Sequence, residues 1–288
     1  MEIRKLYING EWTDSAQEEW IEIENPATHE IIAKVPRGNK EDVDRAVKAA
    51  REAFETWQYT PLEERVELMK KVVAGLESRR QELIETITKE LGSPYKVSAE
   101  VHTDPFILEA KHYIQTASEF QYEQRRLTSV VRREPVGVVG GLTPWNFPLE
   151  QIEKKVVPAL LAGNCVVLKP SQYTPLTAYI LAEEIDKAGY PAGVFNLVTG
   201  RGGEVGNELS KHEDVDMISF TGSTGAGREV ARMALGNIKK IALELGGKSA
   251  AILLDGGDWE NGIHAVLETV VPNAGQTCNA LTRLLVPK

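Results

Sequence analysis

The chain has 288 residues, 42% hydrophobic and 26% charged, with 33 lysines and arginines against 42 acids for a net charge of −9. This balance is that of an ordinary globular protein of one large domain or two. The acidic surplus argues against a dedicated nucleic-acid or anionic-membrane surface.

The N-terminus, Met1-Glu2-Ile3-Arg4-Lys5-Leu6-Tyr7, has no apolar signal core. No segment approaches the roughly 18 uninterrupted apolar residues of a spanning helix. Only Cys165 and Cys278 are present, so no disulfide framework is expected and a reducing, cytoplasmic location is. The five histidines form no His-x-x-x-His pair and lie near no second cysteine, so no metal site is expected.

Tyr7-Ile8-Asn9-Gly10-Glu11-Trp12 predicts a hairpin by its alternation and its Asn-Gly pair, and Trp20 to Ile23 a further strand. From about Lys40 to Ala117 apolar residues recur at three- and four-residue spacing. Pro61 there marks a new helix start, and Leu91-Gly92-Ser93-Pro94 a break. The basic run around Arg125 to Arg133 reads as a solvated or edge strand.

After Pro135 the register changes to strand, helix, strand. Strands are predicted at Val136–Gly140, Cys165–Lys169, Val194–Val198, Val215–Phe220, Ile238–Leu243 and Ala250–Leu254. Helices are predicted at Gln151–Leu161, Leu176–Ala188, up to about Lys211, and at about Gly225–Leu235. Short apolar strands alternating with helices indicate a parallel sheet with helices on both faces, whose ligands bind beyond the carboxyl ends of the strands. The distinctive residues fall at those ends: Trp145-Asn146, Lys169, Gly200 and Thr221-Gly222-Ser223. That coincidence points to a nucleotide site.

Familiar glycine templates fail. Gly225-Ala226-Gly227-Arg228-Glu229-Val230 carries only the first two glycines of G-x-G-x-x-G, and Gly247-Lys248-Ser249 lacks the earlier glycine of a P-loop. What remains is a Gly/Ser/Thr loop opening a helix, able either to cradle a phosphate or merely to cap the helix.

Read together, five runs resemble the aldehyde dehydrogenase superfamily. They are Thr143-Pro144-Trp145-Asn146-Phe147-Pro148, Leu168-Lys169-Pro170-Ser171, Phe220-Thr221-Gly222-Ser223-Thr224, Leu243-Glu244-Leu245-Gly246-Gly247-Lys248 and Asn273-Ala274-Gly275-Gln276-Thr277-Cys278. The resemblance implies an α/β fold, with a Rossmann-like parallel sheet carrying helices on both faces, plus the start of a second α/β catalytic domain that is incomplete. It divides the chain into an NAD(P)-binding domain (1–117 and 136–245), an oligomerisation strand or hairpin segment (118–135) and the beginning of the catalytic domain (246–288).

It further implies oxidation of an aldehyde to a carboxylic acid with NAD or NADP, through a cysteine thiohemiacetal and thioester. Cys278 is then the nucleophile, Asn146 the oxyanion donor and Glu244 the general base. Thr143, Trp145, Lys169, Gln172, Gly202, Gly222, Ser223, Gly227 and Leu245 are the matching cofactor positions. Gln172 stands where many NAD-preferring relatives carry Glu. A small-molecule aldehyde and a homo-oligomer are the implied partners, with no nucleic acid and no membrane. Two alternatives stay open: a non-catalytic nucleotide-binding remnant or split-gene fragment, and a thiol esterase, which needs Cys278 and Glu244 but no nucleotide loop.

Overall fold

The computed structural model describes residues 2–287. The predicted hairpin is present. Asn9 and Gly10, at φ 55° and 78°, close a two-residue turn between the antiparallel strands Leu6–Ile8 and Glu11–Thr13. Asn-Gly suits that turn because both central residues must be left-handed.

The main sheet has seven strands. Lys240–Leu245, Met217–Gly222, Val138–Leu142, Cys165–Lys169 and Phe195–Leu197 run parallel in that spatial order, and the hairpin adds antiparallel at the far edge. The central strands Val138–Leu142 and Cys165–Lys169 are buried throughout, as continuous apolar runs covered on both faces should be. Helices Lys40–Trp57 and Thr224–Ala234 pack on the sheet, as do Pro148–Leu161 and Leu176–Ala188. Leu62–Ser78 and Asp104–Glu119 form an outer layer over the latter pair.

This order creates the site. From Val138–Leu142 the chain steps outward through Cys165–Lys169 to Phe195–Leu197, then crosses back to place Met217–Gly222 on the other side of its starting strand. Loops leaving two neighbouring strands at such a reversal diverge and leave a crevice at the carboxyl edge.

The helical arm breaks where the sequence placed the break. Gly92, at φ 75°, ends helix Arg80–Leu91, and Pro94 caps the next, Tyr95–Glu100. The basic run forms a small exposed hairpin, Glu123–Arg125 with Val130–Arg132.

Two elements went unread in the sequence. Ile31–Pro36 lacks clean alternation because it is the middle strand of a three-stranded sheet, between Glu2–Ile3 and Trp20–Glu24. Helix Trp259–Val270 follows strand Ala250–Ile252, which pairs in parallel with Arg283–Leu285. That helix buries none of its residues, and Trp259, Ile263, Leu267, Ile252, Leu284 and Leu285 all face solvent. An apolar surface of this kind marks a layer without its covering layer. Among the described residues, no helix is long and apolar enough to cross a membrane.

Candidate active site

The crevice at the carboxyl edge has a volume of about 640 Å³. Its floor is the segment after the first strand, Thr143 to Phe147, with Lys169 from the end of the second strand and Gly222 and Ser223 from the fourth. Ser223 N-caps helix Thr224–Ala234, its hydroxyl accepting from the Ala226 amide at 3.2 Å. The other first-turn N–H groups and the helix dipole favour an anion at that mouth. A Cβ on Gly202 or Gly225 would meet nothing within 4 Å, so the backbone there lies open to a ligand.

Two polar residues lining the crevice are buried. Lys169 is 6% exposed, and desolvation pushes its ammonium down to about 8. The Thr143 hydroxyl, also buried, meets no hydrogen-bond partner among the described residues. A bound polar ligand in the crevice would satisfy both, and a dinucleotide's hydroxyls and phosphates are such groups. The donor set therefore fits a nucleotide.

Of the cofactor positions implied by the sequence, Thr143, Trp145, Lys169, Gln172, Gly202, Gly222, Ser223 and Leu245 all line this one crevice. Gly227 does not line it. A Cβ there would lie 2.6 Å from Leu245, so the missing side chain lets the helix seat against that leucine.

The other end of the crevice holds Cys278, Glu244 and Asn146. Glu244 lies near the carboxyl end of the edge strand, in register with Thr221. Beside that pair sits Lys155, buried, its ammonium donating to the Thr221 hydroxyl at 2.8 Å. Burial pushes Lys155 down to about 8, and the Glu244 charge opposes that shift.

Cys278 is exposed in a turn after the short helical segment Pro272–Gly275. Its carbonyl accepts from the Gly247 amide at 3.2 Å, which ties the thiol-bearing turn to the segment after Glu244. Asn146 reaches the same turn. Its carboxamide donates to the Gln276 carbonyl at 2.7 Å, and its own carbonyl accepts from the Asn273 carboxamide at 2.8 Å.

Asn273, Ala274 and Gly275 are left-handed in succession, at φ 54°, 56° and 75°. Glycine adopts this freely and asparagine tolerates it, but alanine there costs roughly 1 kcal/mol or more. Side-chain anchors hold the turn in place. Gln276 donates to the Asn273 carbonyl at 2.9 Å and Thr277 to the Pro272 carbonyl at 3.3 Å.

Lys155, Asn273 and His102 escaped the reading of the sequence. Lys155 is buried on a helix that also buries Glu153 among Ile152, Val156, Val157 and Leu160, so its charge alone did not single it out. Asn273 stands at the head of the run that ends in Cys278 but had no role read into it, and His102 carried no signal.

The Aldehyde dehydrogenase family profile matches residues 12–288. The chain belongs to the aldehyde dehydrogenase family. A Staphylococcus epidermidis protein named among the aldehyde dehydrogenases is 47% identical over 284 residues, covering 99% of this chain and 60% of that relative. The structure of an aldehyde dehydrogenase from Bartonella henselae superposes with a TM-score of 0.97 at 38% identity, covering 100% of this chain and 61% of the other. Aldehyde dehydrogenase C of Pseudomonas syringae, solved with NAD+ and octanal, gives 0.94 at 40% identity, covering 99% of this chain and 59% of the other. Other solved relatives hold NAD+ or NADP. The chain thus spans about 60% of the length of the aldehyde dehydrogenases it matches.

Proposed function

We propose that this chain supplies the cofactor site and the nucleophile of an NAD(P)-dependent oxidation of aldehydes to carboxylic acids. The observation that carries the reading is the convergence of Cys278, Glu244, Asn146 and the nucleotide-loop residues on one crevice. Lys169 and Gln172 would hold the adenosine ribose, Ser223 and the first turn after it the pyrophosphate, and Thr143, Trp145 and Leu245 the nicotinamide end. When bound, the nicotinamide accepts a hydride.

The chain's own residues account for the remaining chemistry. The Cys278 sulfur adds to the aldehyde carbon, forming a C–S bond and an alkoxide. The Asn146 carboxamide and the Cys278 backbone N–H stabilise that alkoxide. Loss of the hydride leaves a thioester on Cys278. Glu244 removes a proton from water as the water adds to the thioester, and the carboxylate product leaves as the thiolate is restored.

The same reading assigns 1–117 and 136–245 to nucleotide binding, 118–135 to an oligomer contact and 246–288 to the start of the catalytic domain. The exposed hairpin supports the second assignment and the uncovered apolar surface after Leu245 the third. The aldehyde partner, a homo-oligomer and a cytoplasmic location belong to this proposal. The thiol esterase reading leaves the open backbone at Gly202 and Gly225 without a purpose.

The test is Cys278→Ser, made in a chain that carries the whole catalytic domain. It is expected to bind NAD(P) with unchanged affinity, by fluorescence titration, while reaction with aldehydes and activated esters falls by at least about a thousandfold. Undiminished ester or aldehyde turnover would remove the thiol from the mechanism.

A further inference from the structure

The amide nitrogen of Asn146 carries two protons, and one is committed to the Gln276 carbonyl at 2.7 Å. The orientation of that carboxamide, and so of its second proton, is fixed by where the Gln276 carbonyl sits. The same carbonyl also lies 3.4 Å from the Asn273 side-chain nitrogen, whose stronger bond, at 2.8 Å, is to the Asn146 carbonyl. Asn273 therefore grips both the strand-end loop that carries the oxyanion donor and the turn that carries the nucleophile.

Behind Asn273 lies His102, 1% exposed and stacked against Phe147 with ring centroids 4.8 Å apart. Neither ring nitrogen has a hydrogen-bond partner among the described residues. Burial holds the imidazole neutral, so it presents one N–H and one lone pair.

We propose that Asn273 is a positioning residue for the oxyanion pocket. It docks the Cys278 turn onto the Asn146 loop and so aims the second Asn146 N–H at the oxygen of the adduct on Cys278. The left-handed Asn273 and Ala274 are the backbone cost of bringing that carboxamide into reach. The inference rests on the covalent role proposed for Cys278.

Two reagents for the same sulfur separate this from a general structural role. Acylation by p-nitrophenyl acetate forms an S–C bond, expels p-nitrophenolate, releases the thiol proton to water and passes through an oxyanion. Alkylation by iodoacetamide displaces iodide at a saturated carbon and forms no oxyanion. Asn273→Asp is isosteric and tolerates φ 54°, yet cannot donate. Asn273→Gly removes the side chain without backbone strain or added charge.

Both variants are expected to lower the acylation rate of Cys278 about 10- to 100-fold, approaching the loss of one oxyanion donor, with alkylation changed less than about threefold. Equal loss with both reagents would reduce Asn273 to a fold-maintaining residue and overturn the proposal, as would unchanged acylation. A wild-type Cys278 that is alkylated but never acylated would overturn the parent reading together with it. Normal wild-type acylation that Asn273→Asp and Asn273→Gly leave intact would overturn this inference alone.

Discussion

The Lys155 ammonium donates to the Thr221 hydroxyl at 2.8 Å, and Thr221 is the residue paired in register with Glu244 on the edge strand. A buried cation thus sits beside the carboxylate proposed to activate water. Its burial is costly, with the ammonium pushed from 10.5 down to about 8. Between those values the unfolded chain holds a proton that the folded chain has shed. Stability therefore rises with pH from 8 to 10.5, and the penalty is complete below 8. Lys155→Met should raise folding stability at pH 7, on the order of 1–3 kcal/mol, and flatten that rise. It should also slow hydrolysis of acylated Cys278. Denaturant unfolding at pH 7 and pH 10, with deacylation kinetics, checks both. A variant less stable at pH 7 would contradict the account.

Glu244 is expected to act after hydride transfer. In a chain that carries the whole catalytic domain, Glu244→Gln should leave a burst of NAD(P)H in rapid mixing with aldehyde while steady turnover falls by about 100-fold or more, the usual scale for a lost general base. A vanished burst with Cys278 still open to alkylation would place Glu244 before hydride transfer.

Gln172 sets an expectation of relaxed cofactor choice. A 2′-phosphate carries close to two negative charges, and a carboxylate within about 5 Å opposes it by roughly 1–3 kcal/mol. A neutral amide removes that repulsion and can donate a hydrogen bond. NADP binding should be comparable with NAD binding in the native chain, and Gln172→Glu should favour NAD by about 10- to 100-fold. Parallel titrations with both nucleotides decide it. No change would mean that residue 172 does not face the ribose.

Residues 1–288 by themselves are expected to bind NAD(P) weakly and to show no aldehyde-dependent NAD(P)H formation. The sheet up to Leu245 has covering helices on both faces, whereas the helix and strand pair after it leave Trp259, Ile263, Leu267, Leu284 and Leu285 in solvent. A nucleophile on an uncovered unit lacks the ångström-scale positioning that hydride transfer demands. Purified chain assayed for both properties gives the answer, and robust turnover would refute the expectation.

The sequence by itself determined the local features. Asn9-Gly10 could only make a tight hairpin turn, because two left-handed residues in succession favour that pair. The unbroken apolar run at Cys165–Lys169 required a strand covered on both faces. Cys278, Glu244 and Asn146, the residues proposed for the chemistry, could be picked out because each sits in a contiguous frame of neighbours. Tertiary structure decided what no frame contains. Asn146 and Gln276, 130 residues apart, meet because the turn before Cys278 docks on the loop that leaves strand Val138–Leu142. Lys155 reads in sequence as one more helical charge. It gains a role from partners delivered by other elements, because side chains that meet across a fold leave no periodic mark in either segment.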